Sequence, residues 1–271
     1  MKRVLLFFTA CILVGVIFFP AHIHEETEHQ SYAPSHATPT HSAPLMRTLG
    51  RTESEGWALL IGMDDMNKTN VYGYEAVAAL RDYLLSIGYS EENILLLGNA
   101  SLDEAREGLK WLISHAKENS IAIFYYAGHG TRNAYESGLC LKDGILWERE
   151  LKKALDDLLS NNAFIGIEAC LSGNFADYMP CNSLGGPGRV VATSSGDWTL
   201  SYAVKEMGGI FSRYFIKEGL QKGMGDSQPY GNEDGKVSVE EAFKYAFSMV
   251  ERQHPMQLPR MNDQYPGDLV L

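Results

Sequence analysis

Two residues of the chain have side chains that together suit nucleophilic chemistry. Cys170 follows the apolar run AFIGIEA, and His129 follows the apolar run SIAIFYYAG. A thiol is a strong nucleophile only as a thiolate, and a neighbouring imidazole can accept its proton and later protonate a leaving amine. Each residue alone has a simpler explanation. His129 would then be a hydrogen-bonded residue at a strand end, and Cys170 a small buried hydrophobe.

The elements that position this pair are predicted from hydrophobic periodicity and end signals. Ser101 and Glu104 form a capping-box pattern, and Gly88 ends the first helix. Continuously apolar strands that alternate with helices predict an α/β fold with a mostly parallel central sheet and helices on both faces. The predicted strands are 57–63, 93–97, 120–128, 163–169, 189–195 and a short 268–271, and the predicted helices are 74–88, 101–116, 147–160, 209–222 and 238–252.

Parallel sheets place functional groups at the carboxyl ends of their strands, and neighbouring strands lie about 4.8 Å apart. His129 and Cys170 both follow strands at such an end, so we expect their side chains to approach one another. Gly128 and Gly130 flank the histidine and let the chain turn there. The main-chain N–H groups of Gly130 and Cys170 are the predicted donors to a developing oxyanion.

The motif FYYAGHG, followed 41 residues after its histidine by the cysteine of IEACLSG, resembles the caspase, metacaspase and legumain group of cysteine peptidases. The resemblance covers Trp57 to Leu271. It implies a caspase-like α/β/α sandwich, a Cys170–His129 dyad, and protein or peptide substrates. The chain lacks the Gln-Ala-Cys-Arg-Gly segment of caspases, which argues against cleavage after Asp, and EACxSG is closer to legumain.

In these families, the acid two residues before the nucleophile lines the pocket for the P1 side chain, which here is Glu168. A carboxylate there predicts a P1 residue that is Arg, Lys or Asn. The alternative is a structural Glu168 paired with an arginine. The resemblance also makes Ser194, Ser195 and Asp197 candidates for substrate binding, because these families place a substrate-binding wall where the fifth strand ends. Asp197 would be a second pocket acid, or would begin a turn with Gly196.

Asp64 follows the first strand, where legumain carries an asparagine that orients the histidine. The resemblance therefore implies that Asp64 orients His129, with a plain loop acid as the alternative. The segment NEDGKVSVEE is similar to a calcium loop, but its first position falls on Tyr230, which supplies no carboxylate. A turn into a helix is the alternative. We predict no required cofactor and no metal site, with calcium left open.

The net charge of −11 argues against a nucleic-acid partner, which needs clustered basic residues. At the N-terminus, Lys2 and Arg3 precede sixteen uncharged residues, so we predict a signal peptide or signal anchor over residues 1–23. This places the protein outside the cytoplasm, either secreted, periplasmic or anchored to the membrane. Residues 24–55 are predicted to be a disordered linker rich in His, Pro, Ser and Thr.

Three alternatives remain open at this point. Outside the cytoplasm, Cys140 and Cys181 would form a disulfide, or both would be small buried hydrophobes. The peptidase domain, predicted over residues 56–271, would instead be a catalytically inactive scaffold or binding domain. The third alternative is an extracytoplasmic metal-binding protein that uses the histidines of the N-terminal region, which are His22, His24, His29, His36 and His41.

Overall fold

The computed structural model describes residues 55–64, 72–177, 183–204 and 208–271. The predicted signal segment, residues 24–54 of the predicted linker and the five N-terminal histidines lie outside the described residues. Cys181 also lies outside them, so its pairing with Cys140 stays a prediction.

A six-stranded sheet forms the centre of the molecule, in the spatial order β11-β8-β7-β3-β1-β2. Within this sheet, strands β1, β2, β3, β7 and β8 pair in parallel, and β11 pairs with β8 in the antiparallel direction. The predicted mostly parallel sheet is therefore confirmed. Its strands are β1 Gly56–Gly62, β2 Ile94–Gly98, β3 Ile121–Ala127, β7 Asn162–Glu168, β8 Arg189–Thr193 and β11 Arg260–Asp263.

Helices cover both faces of this sheet, as the sequence predicts. Successive side chains of β1 point to opposite faces, so Leu60 packs with α1, α4 and α5, whereas Leu59 packs with α2 and α3. Burying each such leucine stabilises the fold by about 1.5–3 kcal/mol. The helices are α1 Gly73–Ser86, α2 Leu102–His115, α3 Glu148–Leu155, α4, which is α-helical over Ile210–Ser212 and a π-helix over Arg213–Leu220, and α5 Val239–Gln253.

The end signals of the first two helices are confirmed. Gly88 has φ +107° just after α1, a conformation that glycine adopts readily. Ser101 and Glu104 form both hydrogen bonds of a capping box at the start of α2.

Two element predictions differ from the structure, and one strand of the sheet was not predicted. Helix α3 ends at Leu155 rather than at residue 160, because tighter turns follow it. The strand predicted at residues 268–271 is only a single bridge between Val270 and Ser238. Strand β11 was not predicted, because its sequence RMND contains a single apolar residue.

Among the described residues, two small sheets lie outside the central one, and neither was predicted from the sequence. Strands β4, β5 and β6 form an antiparallel sheet directly after His129. Strands β9 and β10 form a short antiparallel ribbon before α4. Their ranges are β4 Gly130–Arg132, β5 Ser137–Cys140, β6 Ile145–Trp147, β9 Ala203–Val204 and β10 Gly208–Gly209.

Within the described ranges, none of the helices has the length and apolar character that a membrane span requires.

Candidate active site

The register of β3 and β7 places His129 and Cys170 at the same level of the sheet. These strands are parallel neighbours, and Ala127 lies opposite Glu168 at their carboxyl ends. The pairing continues one residue further, because the N–H of Gly128 donates to the carbonyl of Glu168 at 3.0 Å. His129 and Cys170 each follow their strand by two residues, so both emerge at the same edge of the sheet.

The main chains of these two segments are in contact just beyond the strands. A methyl group on Gly130 would lie 2.0 Å from the carbonyl oxygen of Cys170 and 3.0 Å from Cβ of Ala169. Real Cβ atoms do not approach so closely, and hence this contact requires glycine. The turn after His129 therefore packs directly on the turn that contains Cys170.

Gly130→Ala is expected to lower kcat/KM of the peptidase proposed below by about 100-fold. The added methyl group has to push the His129 turn away from Cys170, and a displacement of about 1 Å between reacting groups costs roughly that factor. Fluorogenic peptide hydrolysis measures the effect. Gly186→Ala is the control, because the nearest atom to a methyl group there lies 3.7 Å away. Equal activity of the two variants would contradict the prediction.

Hydrogen bonds to its main-chain carbonyl fix the position of the exposed His129. The hydroxyl of Tyr126 donates to this carbonyl at 2.8 Å, and the N–H of Cys140 donates to it at 3.0 Å. Tyr126 is fully buried, and its hydroxyl also lies 2.7 Å from the carbonyl of Cys140. The tyrosine thus joins the end of β3 to β5 and holds the turn that presents the imidazole.

The sulfur of Cys170 lies against the main chain of Ser201. The N–H of Ser201 donates to Sγ at 3.3 Å, and Sγ lies 3.6 Å from the carbonyl oxygen of the same residue. Burial raises the pKa of the Cys170 thiol, and the N–H of Ser201 acts in the opposite direction because it stabilises the thiolate. A reactive thiol at this position therefore depends on the segment that contains Ser201.

The turn after Cys170 has a strained residue that is held from two sides. Leu171 has φ +58°, an uncommon conformation for a side chain of this size. Its N–H donates to the carbonyl of Thr199 at 2.9 Å, and its carbonyl accepts from the hydroxyl of Ser137 at 2.7 Å. These two bonds tie the nucleophile turn to the Thr199 segment and to β5.

Ser194 and Ser195 are fully buried behind the same turn. The hydroxyl of Ser194 accepts from the N–H of Ala169 at 3.0 Å, and the hydroxyl of Ser195 donates to the carbonyl of Ala169 at 2.8 Å. The N–H of Ser172 donates to the Ser195 hydroxyl at 3.2 Å. These contacts position the main chain on either side of Cys170, and a contact of these serines with substrate stays a prediction.

Glu148 is linked to the turn that contains Cys170 through Ser137 of β5. Its side chain is fully buried, and Oε2 accepts from the N–H of Ser137 at 3.2 Å. Oε1 has no hydrogen-bond partner among the described residues. Burial is the main cause that raises the pKa of Glu148 to about 7.

Glu148→Gln is expected to stabilise the protein increasingly as the pH rises. Below about pH 4.5 the wild-type carboxyl is protonated in both folded and unfolded states, so its burial has no ionisation cost. Between pH 4.5 and 7 only the unfolded chain ionises readily, and wild-type stability falls by up to about 3 kcal/mol. The stability of the variant relative to wild type should therefore increase by about that amount between pH 4.5 and 8, as measured by denaturant unfolding.

The control for this measurement is Glu107→Gln, since the side chain of Glu107 is 71% exposed. A glutamine there should leave the pH dependence of the unfolding free energy unchanged. Parallel pH profiles for wild type and Glu148→Gln would show that this carboxyl ionises normally.

Glu168 lies at the end of β7 and is almost completely buried. Its Oε1 accepts from the N–H of Ser212 at 3.1 Å, and the hydroxyl of Ser212 donates to Oε2. A methyl group on Gly209 would lie 2.1 Å from Oε1. Burial raises the pKa of Glu168 to about 7, whereas the hydrogen bonds from Ser212 lower it. The carboxyl therefore lies at the first turn of α4, beside the β9–β10 ribbon.

The other two acids predicted for the site have contacts at its margin. Oδ1 of Asp197 lies 3.6 Å from Nη1 of Arg260, and a methyl group on Gly173 would lie 2.3 Å from it. Asp64 is exposed and accepts from the N–H of Tyr74 at 3.0 Å, in the first turn of α1. These contacts show where the two acids lie, and both alternatives for each of them, pocket acid or turn for Asp197 and histidine orientation or loop acid for Asp64, stay predictions.

Comparisons with known proteins show the family and the fold of the chain. The sequence pattern of the family described as Caspase domain matches residues 55–267. A protein of Geobacter sulfurreducens has a similar structure, with a TM-score of 0.57 and 15% identity, and the match covers 76% of this chain and 92% of that one. Caspase-1 from Spodoptera frugiperda is similar with a TM-score of 0.56 and 14% identity, over 80% of this chain and 89% of that one.

A search of curated protein sequences gives no significant match. The two structural similarities show the fold, and the family pattern covers most of the chain, including both turns of the site. Membership of this family implies protein or peptide substrates. The chain therefore belongs to the Caspase domain family of cysteine peptidases.

Proposed function

We propose that this chain is a cysteine endopeptidase with Cys170 as the nucleophile and His129 as the proton carrier. The observation that carries the proposal is the contact between the two strand ends. The register of β3 and β7 brings both residues to one edge, and Gly130 packs on the carbonyl of Cys170. A sulfur and an imidazole that follow adjacent strands in this way suit general-base activation of a thiol.

The reaction begins when His129 accepts the thiol proton and Sγ attacks the scissile carbonyl carbon. The C–N bond then breaks, His129 protonates the leaving amine, and a thioester to Cys170 remains. Water, activated by the same imidazole, hydrolyses the thioester and restores the thiol. We assign the stabilisation of the oxyanion to the N–H groups of Gly130 and Cys170, because they belong to the two turns in contact.

We propose that Glu168 selects a basic residue or asparagine at P1. Ser201 contacts the sulfur, and two residues later Ala203 pairs with Gly209, whose α-carbon packs against the carboxylate of Glu168. The ribbon thus leads from the nucleophile to this acid. A buried carboxylate favours a cationic or amide partner and discriminates against acidic side chains.

The proposed chemistry requires no cofactor. In the loop similar to a calcium site, both carboxylate oxygens of Asp226 accept main-chain N–H groups, from Asp234 at 2.9 Å and Gly235 at 3.0 Å. Glu241 accepts from the N–H of Ser238 and caps α5. These contacts support the alternative of a turn that leads into a helix.

We also propose that the enzyme acts outside the cytoplasm, secreted or anchored through residues 1–23. The basic residues followed by an apolar run support this location. Fractionation of cells that express the full chain tests it, and recovery of the protein only from the cytosol would refute it.

A library of fluorogenic peptides that vary at P1 tests the proposed activity, with wild type and Cys170→Ala assayed in parallel. We expect cleavage after Arg, Lys or Asn by the wild type alone. A wild-type protein that binds peptides without cleaving them would instead support the scaffold alternative.

A further inference from the structure

The segment from Gly196 to Tyr202 covers the sulfur of Cys170 but contains neither helix nor strand. Ser201 donates its N–H to Sγ at 3.3 Å, and the carbonyl of Thr199 accepts from the turn that follows Cys170. A segment without a hydrogen-bond ladder needs other contacts to keep its position. The geometry at the sulfur is therefore set by whatever holds this segment.

The side chain of Gln257 lies behind the segment and is fully buried. It belongs to the loop between α5 and β11. Its Oε1 accepts from the N–H of Tyr202 at 3.2 Å, and its Nε2 donates to the carbonyl of Ser194 at 2.9 Å. The amide thus connects the end of β8 to the residue immediately after Ser201.

The main chain of Gln257 holds the other end of the same segment. Its carbonyl accepts from the N–H of Gly196 at 3.0 Å and from the hydroxyl of Thr199 at 2.5 Å. The ring of Tyr202 also stacks on His254 of this loop, with centroids 4.9 Å apart. One residue therefore contacts both ends of the segment that covers the sulfur.

Nε2 of Gln257 also lies 3.5 Å from the hydroxyl of Ser201, and its contacts with Tyr202 and Ser194 require an amide. Tyr202 offers a donor and Ser194 an acceptor, so the side chain has to accept at one atom and donate at the other. An ionised carboxylate only accepts, and a thioether provides no adequate partner for either group. A substitution would therefore leave buried main-chain groups unpaired unless the segment moves.

We propose that Gln257 is a positioning residue that holds the main chain of Ser201 against the sulfur of Cys170 and thereby maintains the reactivity of the thiol. The inference deepens the proposed function, because this sulfur is the proposed nucleophile. Its chemical consequence does not require peptide hydrolysis. When the N–H of Ser201 withdraws, the thiolate loses a donor, and the effect of burial, which raises the pKa of the thiol, is opposed less strongly.

The test is the pH dependence of alkylation of Cys170 by iodoacetamide, with the modified residue identified by peptide mapping. In Gln257→Met we expect the pH of half-maximal rate to rise by about one unit, which makes alkylation about tenfold slower at pH 7. Gln257→Glu is nearly isosteric and should shift the profile in the same direction. A folded variant of either kind with the wild-type profile would overturn the proposal.

Two further variants test whether a shifted alkylation profile reflects a general loss of structure. Asn262→Leu is the matched control, because Asn262 is another fully buried amide and donates to the carbonyl of Asp177 at 2.7 Å without contacting the segment. Its alkylation profile should be that of wild type, and a shift equal to that of Gln257→Met would overturn the proposal.

Thr199→Val is a milder change that removes only hydroxyl contacts, one of them to the Gln257 carbonyl, and should slow alkylation about threefold.

If thermal melting shows that both Gln257 variants are unfolded, the alkylation profile of Thr199→Val becomes the test. An unchanged profile in Thr199→Val would contradict the proposed role of the contact between Thr199 and Gln257. The alkylation assay also separates this inference from the proposed function. Shifted profiles in a protein that cleaves no peptide would support the positioning role and refute the peptidase. Unshifted alkylation profiles in an active peptidase would refute the positioning role and support the proposed peptidase activity.

Discussion

Cys170→Ala is expected to lower kcat/KM for peptide hydrolysis by at least about 10⁴-fold, and His129→Ala by a similar factor. A nucleophile and its base act as a unit, so the loss of either removes nearly all of the covalent route. For the same reason, the double variant should be no slower than the slower single variant. Fluorogenic peptide hydrolysis by the four proteins measures this non-additivity directly.

Cys140→Ala is the matched control for the loss of a thiol. Cys140 donates its main-chain N–H to the carbonyl of His129, and alanine keeps that N–H. We expect near wild-type hydrolysis in this control. Thermal melting of each variant shows whether a loss of activity reflects unfolding.

Two outcomes would contradict the assigned dyad. Cleavage that persists in Cys170→Ala would place the nucleophile elsewhere or indicate a contaminating peptidase. Rate losses of Cys170→Ala and His129→Ala that multiply in the double variant would show that the two side chains act independently, against a shared proton transfer.

The sequence predicted the strand ends because their signals are local. Runs such as AFIGIEA and IAIFYYA are long and apolar, and each is followed by a turn that contains glycine. Parallel pairing then follows from the alternation with helices, and it brings His129 and Cys170 to one edge without further information. The capping box of Ser101 and Glu104 is local in the same way.

The contacts around the sulfur lay beyond sequence analysis, because they join distant irregular segments. Ser201 is 31 residues from Cys170, and Gln257 is 55 residues from Tyr202. Neither residue belongs to a periodic pattern, and a neutral amide in the loop HPMQLPR has no distinguishing neighbours. The contact between Tyr126 and the His129 carbonyl could not be predicted either, because an aromatic residue in the apolar run of β3 predicts only burial.

The length of α3 illustrates a different failure. Leu158 continues the helical spacing of Leu151 and Leu155, and all three side chains are buried. The backbone nevertheless leaves the helix after Leu155 and reaches Leu158 through tighter turns. Hydrophobic periodicity therefore located the buried residues correctly but not the end of the helix.

Glu168 is the residue whose role the sequence left open, and the structure narrows the alternatives. The predicted structural alternative was an ion pair with an arginine, whereas its hydrogen bonds come from Ser212. These bonds satisfy the first turn of α4, where N–H groups have no partner within the helix. If the role of Glu168 is purely structural, that role is to cap helix α4. A helix cap and an acid of the P1 pocket predict different effects when Glu168 is substituted.

Glu168→Gln separates the two roles, because glutamine keeps an acceptor for the N–H of Ser212 but removes the charge. If Glu168 binds the P1 side chain, kcat/KM for P1-Arg substrates should fall by about 10²–10³-fold, since loss of one partner of a buried charged pair costs about 2–5 kcal/mol. P1-Asn substrates should lose much less. Ser212→Ala is the control, because it removes the hydroxyl contact and leaves the carboxylate.

The pH dependence gives a second, independent measure of the same role. The free carboxyl has a pKa of about 7, so it is largely protonated below that pH and binds a cationic P1 side chain poorly. The ratio of kcat/KM for P1-Arg to that for P1-Asn should therefore rise as the pH increases through 7. The ratio cancels any effect of pH on the catalytic steps that both substrates share. In Glu168→Gln it should be flat, and a ratio that rises equally in wild type and variant would assign the carboxyl to helix capping alone.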